Sequence, residues 1–228
     1  MKLIKKLKEL KMKNTYTKYL FFFTALTVFC LTSCQKLEED PRSILTTETF
    51  LNNESEFEGA VAAMYRPITG AEIGWGFTFR ITSYFGSDDL TTDPGLNKQP
   101  FREFDRLQGT SDNNFARRQW EGPWQTIYQA NNVLENLEKA DLSDEYRNGA
   151  EGQARFLRAI SYFYLVRTFG KLPAVTSTAI DVNNLPQRAE VSEIYDIIVS
   201  DLDIAEDLLP ESFSGQPGKA TKFAAKSL

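Results

Sequence analysis

The chain contains no histidine, and that absence removes more chemistry than any residue present adds. Ser-His-Asp and Cys-His hydrolases need an imidazole as base, and most catalytic zinc sites use at least one histidine ligand. Cysteine is nearly as scarce, with two in 228 residues. Long apolar runs are missing too. The uncharged stretch 19–31 would span about 20 Å as a helix, short of the roughly 30 Å hydrocarbon core of a bilayer. There is no phosphate-cradling glycine loop and no dinucleotide fingerprint. Basic side chains are the minority, 26 Lys+Arg against 31 Asp+Glu. That argues against a nucleic-acid partner, because affinity for the phosphate backbone comes largely from Lys and Arg. The hydrophobic share of 42% is enough for a folded core.

What is present divides sharply at residue 34. Lys2, Lys5, Lys6, Lys8, Lys11, Lys13 and Lys18 precede or flank the short apolar run, against a single Glu9. A positive segment followed by a short apolar one predicts a secretory signal peptide over 1–33 rather than a membrane span. The run ends in Leu31-Thr32-Ser33-Cys34, which resembles the lipobox of bacterial lipoproteins. The resemblance implies that Cys34 is lipidated, with palmitate-type acyl chains, and becomes the first residue of the mature chain. Cys30 leaves with the leader, and the long basic segment makes Met12 an alternative start. The leader holds seven lysines and one glutamate, so the remainder carries 19 basic and 30 acidic groups, a net charge of −11. With its one cysteine acylated, no disulfide can form within the chain although the compartment permits one. Diacylglycerol plus an amide-linked chain exceeds the two-signal requirement for stable anchoring.

Residues 34–52 show no period and read as a tether; residues 53–228 read as an incomplete helical domain. Asn53 and Glu56 have capping-box spacing. Phe57, Ala60, Val61, Met64 and Tyr65 then share a helical face, which Pro67 and Gly70 are expected to end. The stretch from Trp75 to Phe85 fits strand and helix comparably. From Ser87 to Gln119 the composition predicts a long loop, with room for a short helix, and such loops are usually functional. Pro123 suits a first helical position; Trp124, Ile127, Tyr128, Leu134 and Leu137 continue that helix to about Lys139. A second helix is expected from about Asp144 to Phe169, stopped by Gly170, and apolar around much of its girth. A third begins near Val191, with Ile194, Tyr195, Ile198, Leu202, Ala205 and Leu209 as its stripe, and ends at Pro210. A further helical pattern starts at Lys219 and runs to Leu228 without a stop signal, so the chain is expected to break off within a helix. The fold class expected is all-α, built of tetratricopeptide-like antiparallel helix pairs with long loops. Tyr128 and Tyr162 lie one such repeat apart.

Three stretches stand out: Ala154-Arg155-Phe156-Leu157-Arg158-Ala159 through Tyr162-Phe163-Tyr164-Leu165-Val166 to Phe169-Gly170-Lys171-Leu172-Pro173; Arg188 through Tyr195 and Asp201-Leu202 to Leu208-Leu209-Pro210; and Gly218-Lys219-Ala220-Thr221-Lys222-Phe223-Ala224-Ala225-Lys226. Together they resemble the SusD/RagB family of surface lipoproteins in Gram-negative nutrient uptake. Trp124 to Tyr128 with Asn131-Asn132 adds to these. So does the acidic Glu38-Glu39-Asp40 after the lipobox, similar to a surface-export signal. The resemblance spans 34–228 and implies the N-terminal half of a SusD-like α-α superhelix. It also implies a lipid-anchored, surface-exposed outer-membrane protein that captures oligosaccharide for a SusC-like TonB-dependent transporter. A RagB-like peptide binder and a lipid-tethered helical scaffold for protein partners are the alternatives. Within the matched motifs, Phe156, Leu157, Tyr162 and Phe163 read as core. Arg155 and Arg158 read as ion-pair partners of Glu151 or another carboxylate.

Glycan recognition needs flat aromatic rings over the apolar faces of sugars, plus polar groups for the hydroxyls. The poorly periodic region supplies Trp75, Arg80, Tyr84, Asp88, Asp89, Asn97, Phe101, Arg102, Asn113, Asn114 and Trp120 as candidate ligand residues. The competing role is core packing for Trp75 and Trp120 and solvated loop for the others. Ser87-Asp88-Asp89 through Asp93-Pro94-Gly95 could offer carboxylates to calcium but lacks the alternating ligand spacing of a calcium loop. No cofactor is expected. Thirty carboxylates guarantee acidic pairs by chance, so no glycosidase pair is assigned and no enzyme is expected.

Overall fold

The structure, a computed structural model, describes residues 51–70, 74–93, 95 and 98–228. The expected signal peptide, Cys34, nearly all of the tether and Asn97 lie outside the described residues. Seven α-helices occur among the described residues: α1 (Glu54–Thr69), α2 (Trp75–Thr82), α3 (Gln99–Asp105), α4 (Asn114–Asn136), α5 (Asp144–Phe169), α6 (Val191–Leu208) and α7 (Lys222–Ser227). None is long and apolar enough to cross a membrane.

Local chemistry sets the ends. Asn53 accepts from the Glu56 N–H at 3.1 Å, and the Glu56 carboxylate accepts from the Asn52 N–H at 2.8 Å, closing the start of α1. Leu51, expected at the end of the tether, is instead buried in the same apolar cluster as Phe57. Ser143 caps α5, and Gly170 ends it at φ 73, a conformation that costs glycine little. Glu190 and Glu193 form a reciprocal capping box at the start of α6.

Two sequence expectations are corrected and one open reading is resolved. Pro67 does not end α1, which runs two residues further to Thr69. A proline in the last turn removes one hydrogen bond, from the Ala63 carbonyl, and leaves the remaining turn to close at Gly70. Pro123 does not open a helix either. The helix begins nine residues earlier because Asn113 caps Phe115 and Ala116. The ambiguous stretch after Gly74 is helical, and the long loop contains α3.

Contacts between side chains give the helix directions. Glu54 meets Ser143, Glu58 meets Tyr146 and Tyr65 meets Gln153, so α1 runs parallel to α5. Arg147 donates to the Leu137 carbonyl, Arg158 to Asn131, and Trp120 meets Phe169 edge-on, so α4 runs antiparallel to α5. Arg158 meets Asp201 while Gly152 faces Leu208 and Leu209, so α6 is antiparallel to α5. This is the expected pairing of neighbouring helices. The 34-residue spacing was misleading, however: Tyr162 is wholly buried while Tyr128 is 52% exposed, so the two tyrosines do not occupy equivalent places.

The core follows the same layers. Phe57, Val61 and Met64 of α1 pack with Ala130, Val133 and Leu157. Ile127, Tyr162, Leu165, Leu172, Ile194 and Ile198 tie α4, α5 and α6, and Ala205, Leu209, Ala220 and Ala225 hold α7. Each large apolar side chain so buried contributes about 1.5–3 kcal/mol. Of the motif residues, Leu157 and Tyr162 are fully buried, while Phe156 and Phe163 pack at the edges of these clusters.

Candidate binding face

The structure scatters the candidate ligand residues. Trp75 is 2% exposed; its Nε1 donates to Thr126 Oγ1 at 3.2 Å, and its ring meets Phe79 and Tyr164 edge-on. It is a core residue with no free face. The reason is Gly122, which lets α4 approach so closely that a Cβ there would lie 2.8 Å from the Trp75 Cβ. Phe101 is wedged edge-to-face between Phe85 and Phe115. Asn113 is committed to the α4 cap and, through Nδ2, to Glu103 at 2.7 Å and the Pro100 carbonyl at 3.0 Å. Arg102 donates to the Asp93 and Gly95 carbonyls. These three hold the loop together.

Arg80, Tyr84, Asp88 and Asp89 remain exposed at the end of α2 and in the loop beyond it. That loop is pinned to α3 by Asp105, which accepts from Thr91 Oγ1 at 3.0 Å and from Thr92 N at 3.3 Å. Desolvation pushes the Asp105 carboxyl upward, but these hydrogen bonds outweigh it and hold it below the usual range. Among the described residues no group of three or more His, Cys, Asp or Glu side chains is placed to hold a metal ion.

Trp120 is the exception among the candidates. It lies at the surface of α4, 38% exposed, with its ring edge-on to Trp124 at 5.7 Å and to Phe169 at 5.0 Å. Trp120, Trp124 and Tyr128 are four residues apart and so form one row along α4, rising about 6 Å per step. Phe169, 40% exposed, extends the row onto α5. Trp124 in the middle is half-buried, with its ring on Tyr162, and its Nε1 has no hydrogen-bond partner among the described residues.

A second row lies three residues behind the first. Arg117, Glu121 and Gln125 each neighbour one aromatic, because positions i and i+3 adjoin on a helix surface. These polar residues also line a cleft of about 620 Å³ between α4, the end of α1 and the start of α2. Arg66, Pro67, Gly70, Arg118 and Gln129 complete much of its wall. Pockets of this size commonly hold small ligands.

Sequence reasoning missed Tyr128, Phe169 and the cleft arginines as site residues. The aromatic row was visible as an i, i+4, i+8 spacing. Starting the helix at Pro123 left Trp120 in a loop and hid the row.

Residues 87–228 match a family of SusD-like proteins described as starch-binding and associating with the outer membrane. SusD-like protein P2 of Formosa agariphila is 28% identical over 211 residues, covering 91% of this chain and 41% of that protein. A SusD-like protein of Bacteroides ovatus is 24% identical over 217 residues, covering 93% and 38%. Among solved structures, a laminarin-binding SusD-like protein superposes with TM-score 0.67 at 26% identity, covering 77% of this chain and 39% of that one. A SusD-like carbohydrate-binding protein from Bacteroides fragilis gives 0.64 at 27% identity, covering 78% and 36%. The chain spans about two fifths of the length of the curated relatives it matches.

Proposed function

The chain belongs to the SusD-like family, and from that premise we propose that it captures oligosaccharide at the outer cell surface and hands it to a SusC-like TonB-dependent transporter. The observation that carries the binding half is the outer face of α4. Trp120 and Tyr128 offer exposed ring area, and Arg117, Glu121 and Gln125 sit beside them as hydrogen-bonding groups. Tyr and Trp suit this task because each joins apolar area to a polar handle. Likeness to a laminarin-binding and a carbohydrate-binding SusD-like protein supports glycan over peptide as the ligand. Binding is passive: the row is built for contact, and no bond-breaking step is assigned to it.

Attachment in this reading comes from lipid on Cys34, which follows the leucine and two small residues of the lipobox. The mature net charge of −11 makes direct attraction to an anionic membrane surface a poor substitute. Transfer to a transporter draws on the family alone. Calorimetric titration of the detergent-solubilised full chain with β-glucan oligosaccharides and with mixed peptides tests the binding half. Heat with the oligosaccharides supports it; heat only with peptides contradicts it.

A further inference from the structure

The cleft behind the aromatic row has a charge that the glycan reading does not require. Its described lining includes three guanidinium groups, Arg66, Arg117 and Arg118, against one carboxylate, Glu121. This cationic surplus stands in a chain whose mature total is strongly acidic. Arg66 comes from the last turn of α1 and Arg117 from the first turn of α4, so the two approach the cleft from different helices. Neither forms an ion pair with a carboxylate among the described residues. Arg117 Nη2 donates to Asn114 Oδ1 at 3.0 Å, a neutral partner that orients the fork and leaves its charge in place. The contrast with Arg155 and Arg158 is direct, since both of those are spent on Asp201.

We propose that this cleft binds an oxyanion substituent, a carboxylate or sulfate, on a sugar of the captured glycan. The inference rests on the glycan reading and narrows it to anionic saccharides. A planar guanidinium presents parallel N–H donors that match two oxygens of one oxyanion, and such charge-assisted bonds are roughly twice as strong as neutral ones. Neutral sugar rings stack on the Trp120–Tyr128 row, and the charged substituent reaches past the row into the cleft. Gln125 and Gln129 supply amides for the neighbouring hydroxyls.

The test titrates the detergent-solubilised full chain with four probes: a neutral β-glucan oligosaccharide, an oligogalacturonate, a sulfated galactan oligosaccharide and a glutamate-rich peptide. At low salt at least one anionic oligosaccharide should bind roughly tenfold or more tightly than the neutral one, with the advantage shrinking as salt rises. Which anionic probe wins tells uronate from sulfate. The paired substitution Arg66→Gln, Arg117→Gln should abolish the advantage, with the anionic oligosaccharide losing far more affinity than the neutral one. Arg66→Lys, Arg117→Lys, which keeps charge and loses the fork, should fall between. Equal affinity for neutral and anionic oligosaccharides in the unaltered chain overturns this inference and leaves the glycan reading standing. So does an anionic preference that survives both pairs of substitutions. Binding of the peptide alone, or of no probe, overturns the glycan reading itself.

Discussion

Arg158 and Asp201 form a two-pronged ion pair in the middle of the helix stack, Nε to Oδ2 and Nη2 to Oδ1, each at 2.7 Å. Arg158 on α5 is 6% exposed and Asp201 on α6 is 1% exposed. Other atoms of the pair are engaged as well. Arg158 Nη1 donates to Asn131 Oδ1 at 2.8 Å, and Arg155 Nη1 donates to Asp201 Oδ1 at 3.1 Å. Asn131 Nδ2 passes the chain on to the Val175 carbonyl at 3.2 Å. One buried network therefore fixes α4, α5, α6 and the segment after α5 in register, and α4 is the helix that carries the aromatic row.

Breaking that pair from one side leaves a buried charge unmatched. Asp201→Ala should destabilise the fold by about 3–5 kcal/mol, measured by chemical denaturation. Replacing both partners, Arg158→Met with Asp201→Leu, should recover much of the loss. If the double substitution is as damaging as the single one, the cost does not come from the orphaned charge.

Gly152 lets α5 and α6 touch. A Cβ at this position would lie 2.7 Å from Leu209 Cγ, and Leu209 is itself buried. Gly152→Ala should cost about 1–3 kcal/mol through overpacking, despite alanine's better helix propensity. A rise in the thermal midpoint would contradict the packing account.

Alkaline pH should loosen the core through two tyrosines. Burial pushes the hydroxyls of both Tyr65 and Tyr162 from 10.0 up to about 12. Tyr162 also donates to the Val175 carbonyl at 2.8 Å and accepts from its N–H at 2.7 Å. The folded state thus prefers the neutral phenol. Its contribution to stability is complete below pH 10 and is lost as pH rises through about 12. Phenolate absorbance should show Tyr65, Tyr146 and Tyr162 ionising late, Tyr146 because burial and the neighbouring Glu58 carboxylate also push its hydroxyl up, together with loss of helical circular dichroism. Tyr162→Phe should remove one of them and destabilise the fold, because the Val175 N–H then lacks its acceptor.

In the proposed function, lipid on Cys34 attaches the protein to the membrane. Cys34→Ala should block incorporation of labelled palmitate and move the protein from the membrane fraction to the soluble one. Unchanged membrane fractionation of that variant would contradict the lipid anchor.

How much of this was legible in the sequence varied with how local the cause is. The bounds of α5 followed from its own residues: a nearly continuous apolar surface beginning near Asp144 and Gly170 as stop. The role of Arg155 and Arg158 as ion-pair partners was readable because helix-borne arginines in an apolar sequence need carboxylates. The identity of Asp201 as the shared partner was not, because it depends on how α6 docks. Pro67 and Pro123 misled because both were read as helix boundaries. Tertiary packing and a strong cap at Asn113 keep the helices running through them. Trp75 was ambiguous until Gly122 brought α4 over it. The cleft was invisible, since Arg66 and Arg117 line one cavity only because α1 packs on α4.

The aromatic row is the central claim, and substitution within it tests that claim most directly. Intrinsic tryptophan fluorescence of the detergent-solubilised full chain should change on titration with a glycan that binds. Trp120→Ala and Tyr128→Ala should each weaken that binding roughly tenfold or more, while circular dichroism stays unchanged and only Trp120→Ala lowers the denaturation midpoint modestly, through its lost contacts with Trp124 and Phe169. Glycan affinity that is indifferent to both substitutions would contradict the account and move the binding face elsewhere on the molecule.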